Sequence, residues 1–176
     1  MMGLRKQILS RLKPILWPVY RCYMYTKKIY DHKGIRLRLR PTVFHPAFFL
    51  STTYLLEYIL QLDLMERRFL ELGAGSGLIS LHAAKCDAVV TASDVNPAAV
   101  QSMEESQQMN QLLFTVLQSD LFVEIPLQVF DLIFINPPYY PQKPQNDWEL
   151  AFFFGTGNAY FHRLFKLIVN YMNAES

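Results

Sequence analysis

"FLELGAGSGLISLHAAKC", Phe69 to Cys86, changes its period in the middle. "FLEL" is apolar except for Glu71 and too short for a helix, the composition of a strand covered on both faces. "GLISLHAAKC" reads as a helix. Between them, glycines 73, 75 and 77 let the backbone turn sharply and bring its N–H groups close to a ligand at a helix N-terminus. The spacing is Gly-x-Gly-x-Gly and not the Gly-x-Gly-x-x-Gly of a nicotinamide dinucleotide turn. A tight strand-to-helix turn with no ligand is the plainer reading of the glycines alone.

Outward from this unit the pattern repeats. "AVVTASD" (88–94) reads as a second strand and "NPAAVQSMEESQQMNQ" (96–111) as a second helix with Pro97 in its first turn. "FTVLQSD" (114–120) and "VFDLIFI" (129–135) read as the third and fourth strands, and "NAYFHRLFKLIVNYMN" (158–173) as a further helix. Apolar strands alternating with helices predict an α/β fold with a mostly parallel sheet covered on both faces. Upstream, "STTYLLEYILQL" (51–62) has helical spacing, with Ser51 or Thr52 suited to cap it. "GIRLRLRP" (34–41) alternates strictly, which predicts a half-buried strand with Ile35, Leu37 and Leu39 on one side and Arg36, Arg38 and Arg40 on the other.

A chain of 176 residues that is 51% hydrophobic supports one domain with a real core. No apolar run reaches the ~20 residues of a membrane-spanning helix, and the N-terminus lacks a signal-peptide pattern. Cys22 and Cys86 match no metal-ligand or redox spacing, so a reduced, cytoplasmic protein is expected. The net charge of +2 conceals a basic arm: residues 1–40 hold eleven Lys or Arg against one acid, Asp31. That arm suits nucleic acid, a ribosome or an anionic surface, or simply a solvated face. Composition therefore divides the chain into a basic arm, 1–40, and an acidic body, 41–176.

Three further positions fall at the ends of the predicted strands. Asp94, 21 residues after Gly73, is placed to accept hydrogen bonds from both ribose hydroxyls of an adenosine-bearing ligand. Capping the next helix is its plainer role, and Asn96 suits that equally. Asp120, or the backbone beside it at Leu121, lies just past strand three and within reach of an adenine amine, although an Asp in such a turn is common. "NPPY", Asn136 to Tyr139, ends strand four with a polar side chain held by two rigid residues and followed by aromatics.

Together, "ELGAGSG", "SDVNP", "QSDLF" and "NPPYYP" resemble the class I S-adenosylmethionine-dependent methyltransferases, and among them the amino-group enzymes with Asn-Pro-Pro-aromatic. The resemblance runs from about Thr42 to Met172. The chain is similar to the HemK-like, protein-glutamine branch in particular, through "PAFFLSTTYLLEYI" and through "WELAFFFGTG" followed by "YFHRLFKLI". Thr52 stands where that branch carries an Asp. The resemblance implies a Rossmann-like fold and S-adenosylmethionine held by Glu71, Gly73, Gly75, Gly77, Asp94, Asp120 and Leu121. It also implies transfer at Asn136, Pro137 and Tyr139, with no metal. The family's sheet has a fifth parallel strand and a closing hairpin after the last helix read here. The expectation is therefore a C-terminally truncated domain whose strand-four edge takes up a second copy or another polypeptide.

The chemistry fits the motif. A planar nitrogen is a poor nucleophile because its lone pair is delocalised. Two acceptors, Asn136 Oδ1 and the Pro137 carbonyl, would pull it toward tetrahedral geometry and offset its growing positive charge, while Tyr139 stacks on the acceptor. A release-factor-like protein glutamine is the expected substrate, with a base amine in RNA or DNA as the alternative. A catalytically silent binding module is a second class, and a nicotinamide oxidoreductase has no use for "NPPY". His45 is a candidate at the substrate mouth. His82 reads as structural, His162 and Arg163 as a solvated face, and Trp148 with Phe152, Phe153 and Phe154 as core filling or cover for the site.

Overall fold

The structure is a computed structural model describing residues 26–48 and 50–173. The short helices expected in the first 25 residues, with five of the basic arm's eleven cations, lie outside the described residues. β1 (Lys28–His32) and β2 (Ile35–Leu39) form an antiparallel hairpin. α1 (Leu50–Ile59) follows, then β3 (Arg68–Leu72), α2 (Leu78–Lys85), β4 (Val89–Asp94), α3 (Pro97–Asn110), β5 (Thr115–Gln118), β6 (Leu132–Ile135) and α4 (Ala159–Ile168). Every strand and helix predicted from Phe69 onward is present. The four later strands make one parallel sheet in the order β5-β4-β3-β6.

That order places a switch point between β3 and β6. The chain winds outward from β3 through β4 to β5, then crosses back to lay β6 on the other side of β3. In open parallel sheets the crevice beyond the strand ends at such a point is where ligands bind. The glycine turn leaves β3 there, and "NPPY" leaves β6 there.

Alternation along β3 divides the core. Phe69 packs on one face with Leu56, Ile59, Ile79, Leu81 and Val90, beneath α1, α2 and the hairpin. Its ring stacks on Phe134 of β6 at 5.0 Å. Leu70 and Leu72 pack on the other face with Phe122, Ile125, Phe130, Leu164 and Tyr171, beneath α4. Gly77 shows why the turn into α2 needs glycine. Its φ is +73°, and a Cβ there would meet Met103 Cγ of α3 at 2.6 Å.

β2 alternates as predicted, with Ile35, Leu37 and Leu39 buried. These residues share the core with α1 and β3, so no break in packing falls at residue 40. The arginine face, however, is not an open surface. Arg36 donates to the Met109 carbonyl, and Arg38 and Arg40 pair with Glu105, all on α3. The edge of β2 is covered by the same helix: Arg36 N–H donates to Asn110 Oδ1, Arg38 N–H to Ser106 Oγ and Arg40 N–H to Ser102 Oγ, at 2.9–3.0 Å. A stripe at i, i+4 and i+8 of a helix stands where a neighbouring strand would be.

α1 also differs from expectation at its start. It begins at Leu50, so Ser51 and Thr52 lie within its first turn and do not cap it; Thr52 lines the cleft and Ser51 bonds to Tyr139. At the far edge, Phe130 N–H donates to the Tyr171 carbonyl at 2.9 Å and Phe130 bridges Met172 in parallel, next to β6. Among the described residues that single bridge is the only pairing on the outer side of β6.

Candidate active site

A cleft of about 840 Å³, measured out to open solvent, lies at the switch point. Of the residues expected to act, Glu71, Gly73, Gly75, Asp94, Asn136 and Tyr139 line it together. Gly77, Pro137, Asp120 and Leu121 are outside its lining.

Asp94 joins the two turns of the floor. Its Oδ2 accepts from Gly75 N–H and its Oδ1 from Asn96 N–H, each at 2.8 Å. Burial pushes its carboxyl above the usual range, while these backbone bonds pull it back. Two bonds leave a carboxylate with acceptor sites for further donors. Capping falls to Asn96, whose side chain accepts from Ala98 N–H at 2.9 Å at the start of α3. Thus Asp94 is left for the cleft.

Glu71 is buried beside it. Ser80 of α2 donates both its backbone N–H, at 2.9 Å, and its hydroxyl to Glu71 Oε2. Burial dominates and raises the carboxyl to about 7, with Asp94 adding to the rise and Ser80 opposing it. Gly73 has φ of +67° and nothing within 4 Å of where a Cβ would stand, so its backbone faces open space in the cleft.

The walls come from segments far apart in the chain. Thr42, Val43 and Phe44 form one, anchored by Asn96 Nδ2 to the Thr42 carbonyl and hydroxyl, both at 3.4 Å. Thr42 has φ of +69°, a strained value for a β-branched residue. Leu150 and Ala151 form the other wall, and Phe44 meets Phe152 across the top at 5.7 Å between ring centroids. The Asn-Pro-Pro-Tyr loop is tied to this second wall. Tyr139 and Tyr140 N–H both donate to the Phe152 carbonyl, and Phe154 N–H donates to that of Tyr140. Phe152 thus packs beside the cleft, and none of Phe152, Phe153 and Phe154 is in its lining.

Asn136 and Tyr139 meet a third residue. Tyr139 Oη donates to Asn136 Oδ1 at 2.9 Å and lies 2.7 Å from Ser51 Oγ; Asn136 Nδ2 donates weakly to the same Ser51 oxygen at 3.4 Å. Tyr139 therefore engages Asn136 through its hydroxyl. Asp120, for its part, is paired with Arg163 of α4 at 2.8 Å, an ion pair on the solvated face of that helix.

The histidines fall outside the cleft lining. His82 is buried in α2, with Nε2 3.2 Å from His32 Nδ1 of the hairpin, which supports its structural reading. His45 is buried edge-on to Tyr30 at 4.9 Å. Among the described residues no cluster of three or more potential metal ligands occurs, and no helix is long and apolar enough to cross a membrane. Sequence reasoning missed Thr42, Leu150 and Ala151 as lining residues, and no local pattern marks them.

The methyltransferase small domain model matches residues 34–160. The chain belongs to that family. A Methanocaldococcus jannaschii protein named for protein N5-glutamine methyltransferase activity is 36% identical over 132 residues, covering 73% of this chain and 64% of its own. A Shewanella loihica tRNA1(Val) adenine-N6 methyltransferase is 36% identical over 91 residues, covering 46% and 37%. Among solved structures, a T. thermophilus 16S rRNA N2 methyltransferase in complex with AdoMet and guanosine superposes with a TM-score of 0.53 at 25% identity, covering 72% and 37%. The chain thus spans less than two thirds of the length of each of these proteins. As a methyltransferase small domain it has the fold expected of it, and the family match begins at Gly34, within the basic stretch.

Proposed function

We propose that this chain carries the cofactor site and transfer site of an S-adenosylmethionine-dependent N-methyltransferase acting on a planar amide or amino nitrogen. The observation that carries the reading is that Asn136 shares one cleft with Gly73, Gly75 and Asp94. A carbonyl acceptor for a nitrogen and an acid for an adenosine thus open on the same space.

S-adenosylmethionine fits the residues present. Gly73 offers a backbone with open space in front of it, and Asp94 keeps free acceptor sites for ribose hydroxyls. Glu71, buried beside Asp94, lines the same space. The cofactor brings an electrophilic methyl on a sulfonium; the chain holds the acceptor. Asn136 Oδ1 and the Pro137 carbonyl take its two N–H groups, and the proline fixes φ so that little freedom remains to be lost. Those acceptors strengthen as charge grows on the nitrogen, which lowers the barrier and not merely the energy of binding.

The acceptor we favour is a protein glutamine side chain, supported by the 36%-identical relative and by the HemK-like segment after "NPPY". A base amine in RNA is the second reading, supported by the adenine-N6 relative. Incubating cell extract with the protein and methyl-labelled cofactor separates them: label in protein supports glutamine, and label in RNA supports the base. Label in neither removes both. The outer edge of β6 is where we place a further strand, from a second copy or another polypeptide; light scattering that gives a stable monomer removes self-association.

A further inference from the structure

Ser51 is not among the residues that sequence or family assigned to the site, yet it is bonded to both side chains at its centre. With Asn136 and Tyr139 it closes a ring of three hydrogen bonds. Ser51 O–H donates to Tyr139 Oη at 2.7 Å, Tyr139 O–H to Asn136 Oδ1 at 2.9 Å, and Asn136 N–H back to Ser51 Oγ at 3.4 Å. All three donors then point the same way round, an arrangement in which each bond polarises the next.

The phenol has one proton and two acceptors of nearly equal distance. Directed at Asn136, it occupies one of the two lone pairs of Oδ1 and draws density from the other. That is the carbonyl the proposed function needs at full strength. Directed at Ser51, it leaves Oδ1 entirely to an incoming N–H, and Ser51 turns its own proton elsewhere. Only O–H rotation separates the two arrangements, and no heavy atom has to move.

We infer that Ser51 is a positioning residue of the transfer site, serving as the alternative acceptor that withdraws the Tyr139 proton and frees the Asn136 carbonyl when the substrate nitrogen arrives. The inference rests on the proposed function, and its sign is unusual. Without Ser51 the phenol's one protein acceptor in this trio is Asn136, in competition with solvent at a half-exposed side chain, so the serine's loss is harmful through the tyrosine's hydroxyl. Removing that hydroxyl as well then relieves the defect. A residue with a purely structural part gives the opposite pattern, since a second deletion adds to the first.

The test uses the full chain with methyl-labelled cofactor and the extract fraction that takes up label. Ser51→Ala is expected to lower kcat about tenfold, the scale of one well-made hydrogen bond, with KM for the cofactor within about twofold. Ser51→Thr keeps the hydroxyl and is expected to stay within about threefold of the parent. Ser51→Ala with Tyr139→Phe is expected to exceed Ser51→Ala alone. A double variant at or below the single one overturns the inference and leaves the proposed function standing. No transfer by the parent chain overturns both. A second readout needs no turnover: 3-fluorotyrosine at position 139, followed by 19F resonance, is expected to shift in both Ser51→Ala and Asn136→Ala. A resonance unmoved by either shows that the ring does not exist in solution.

Discussion

Gly75, Asp94 and Asn96 on the floor of the cleft and Ser51, Asn136 and Tyr139 at its mouth are both hydrogen-bonded trios, and they are built in opposite ways. The floor uses a carboxylate to join backbone N–H groups of two adjacent strand-to-helix turns. Its bonds are partly buried, and no side-chain rotor decides where they point. The mouth uses side chains only, joining the first turn of α1 to a loop more than 80 residues later. Its Tyr139 is 43% exposed. The floor is suited to hold one ligand in one pose, whereas the mouth can rearrange at the cost of a hydroxyl turn.

If that division holds, substitutions at the mouth strike the rate and substitutions on the floor strike binding or folding. The largest effect is expected from Asn136→Ala, which removes the acceptor for the developing charge. Transfer should fall by about 10²–10³, the scale of losing one such electrostatic contact, with calorimetric cofactor affinity retained. Weakened binding of equal size would erase the distinction between the trios. Next comes Gly77→Ala, where a Cβ at positive φ must displace Met103. A loss of about 1–3 kcal/mol in denaturant unfolding is expected. Asp94→Asn keeps the shape but sets an NH2 against a backbone N–H that the carboxylate accepted from, and should weaken cofactor binding about tenfold while costing about 1–3 kcal/mol in unfolding.

Smaller effects follow from titration. His45 and His82 are held near 4, chiefly by burial, with Lys28 acting on His45 and with His32, Lys85 and Lys33 acting on His82. Unfolded, they take up protons near 6.5. Their contribution is therefore lost as pH falls from about 6.5 to 4. Glu71 works the other way: raised to about 7, it keeps its proton in the fold where the unfolded chain has released it, so its contribution is lost as pH rises through 7. Asp94, also raised, acts as Glu71 does, and His32, lowered by burial, acts with the other histidines; three histidines outweigh two carboxylates, and the thermal midpoint should fall on acidification. Glu71→Gln should steepen that fall, and a shallower one would contradict the assignment. The smallest effect, about 1 kcal/mol, is expected from Ser106→Ala, which leaves Arg38 N–H without the serine hydroxyl.

The same division explains what was legible in the sequence. β3 through β6 and their helices announced themselves because apolar runs and glycines are local signals. So did the floor, where Asp94 follows Gly75 by one strand–helix–strand step. Ser51 and Thr52 looked like caps because they precede an apolar helix; only the distant loop reveals that Ser51 serves Tyr139. The partner of Asp120, Arg163, was not legible because it is 43 residues further on. The arginines of β2 read as a free face because the α3 residues that meet its edge, Ser102, Ser106 and Asn110, are polar and announce no docking partner.

That helix and β2 work as a vernier. A strand advances about 6.8 Å in two residues and a helix about 6 Å in four, so successive rungs fall out of step by about 0.8 Å. Two rungs use the short reach of serine, at Ser102 and Ser106, and the third uses the longer Asn110, which also returns a hydrogen bond to the Arg36 carbonyl. A fourth rung would be further out of step still. The match is self-limiting: it closes the free edge of the hairpin over three rungs and fixes the only register in which all three meet.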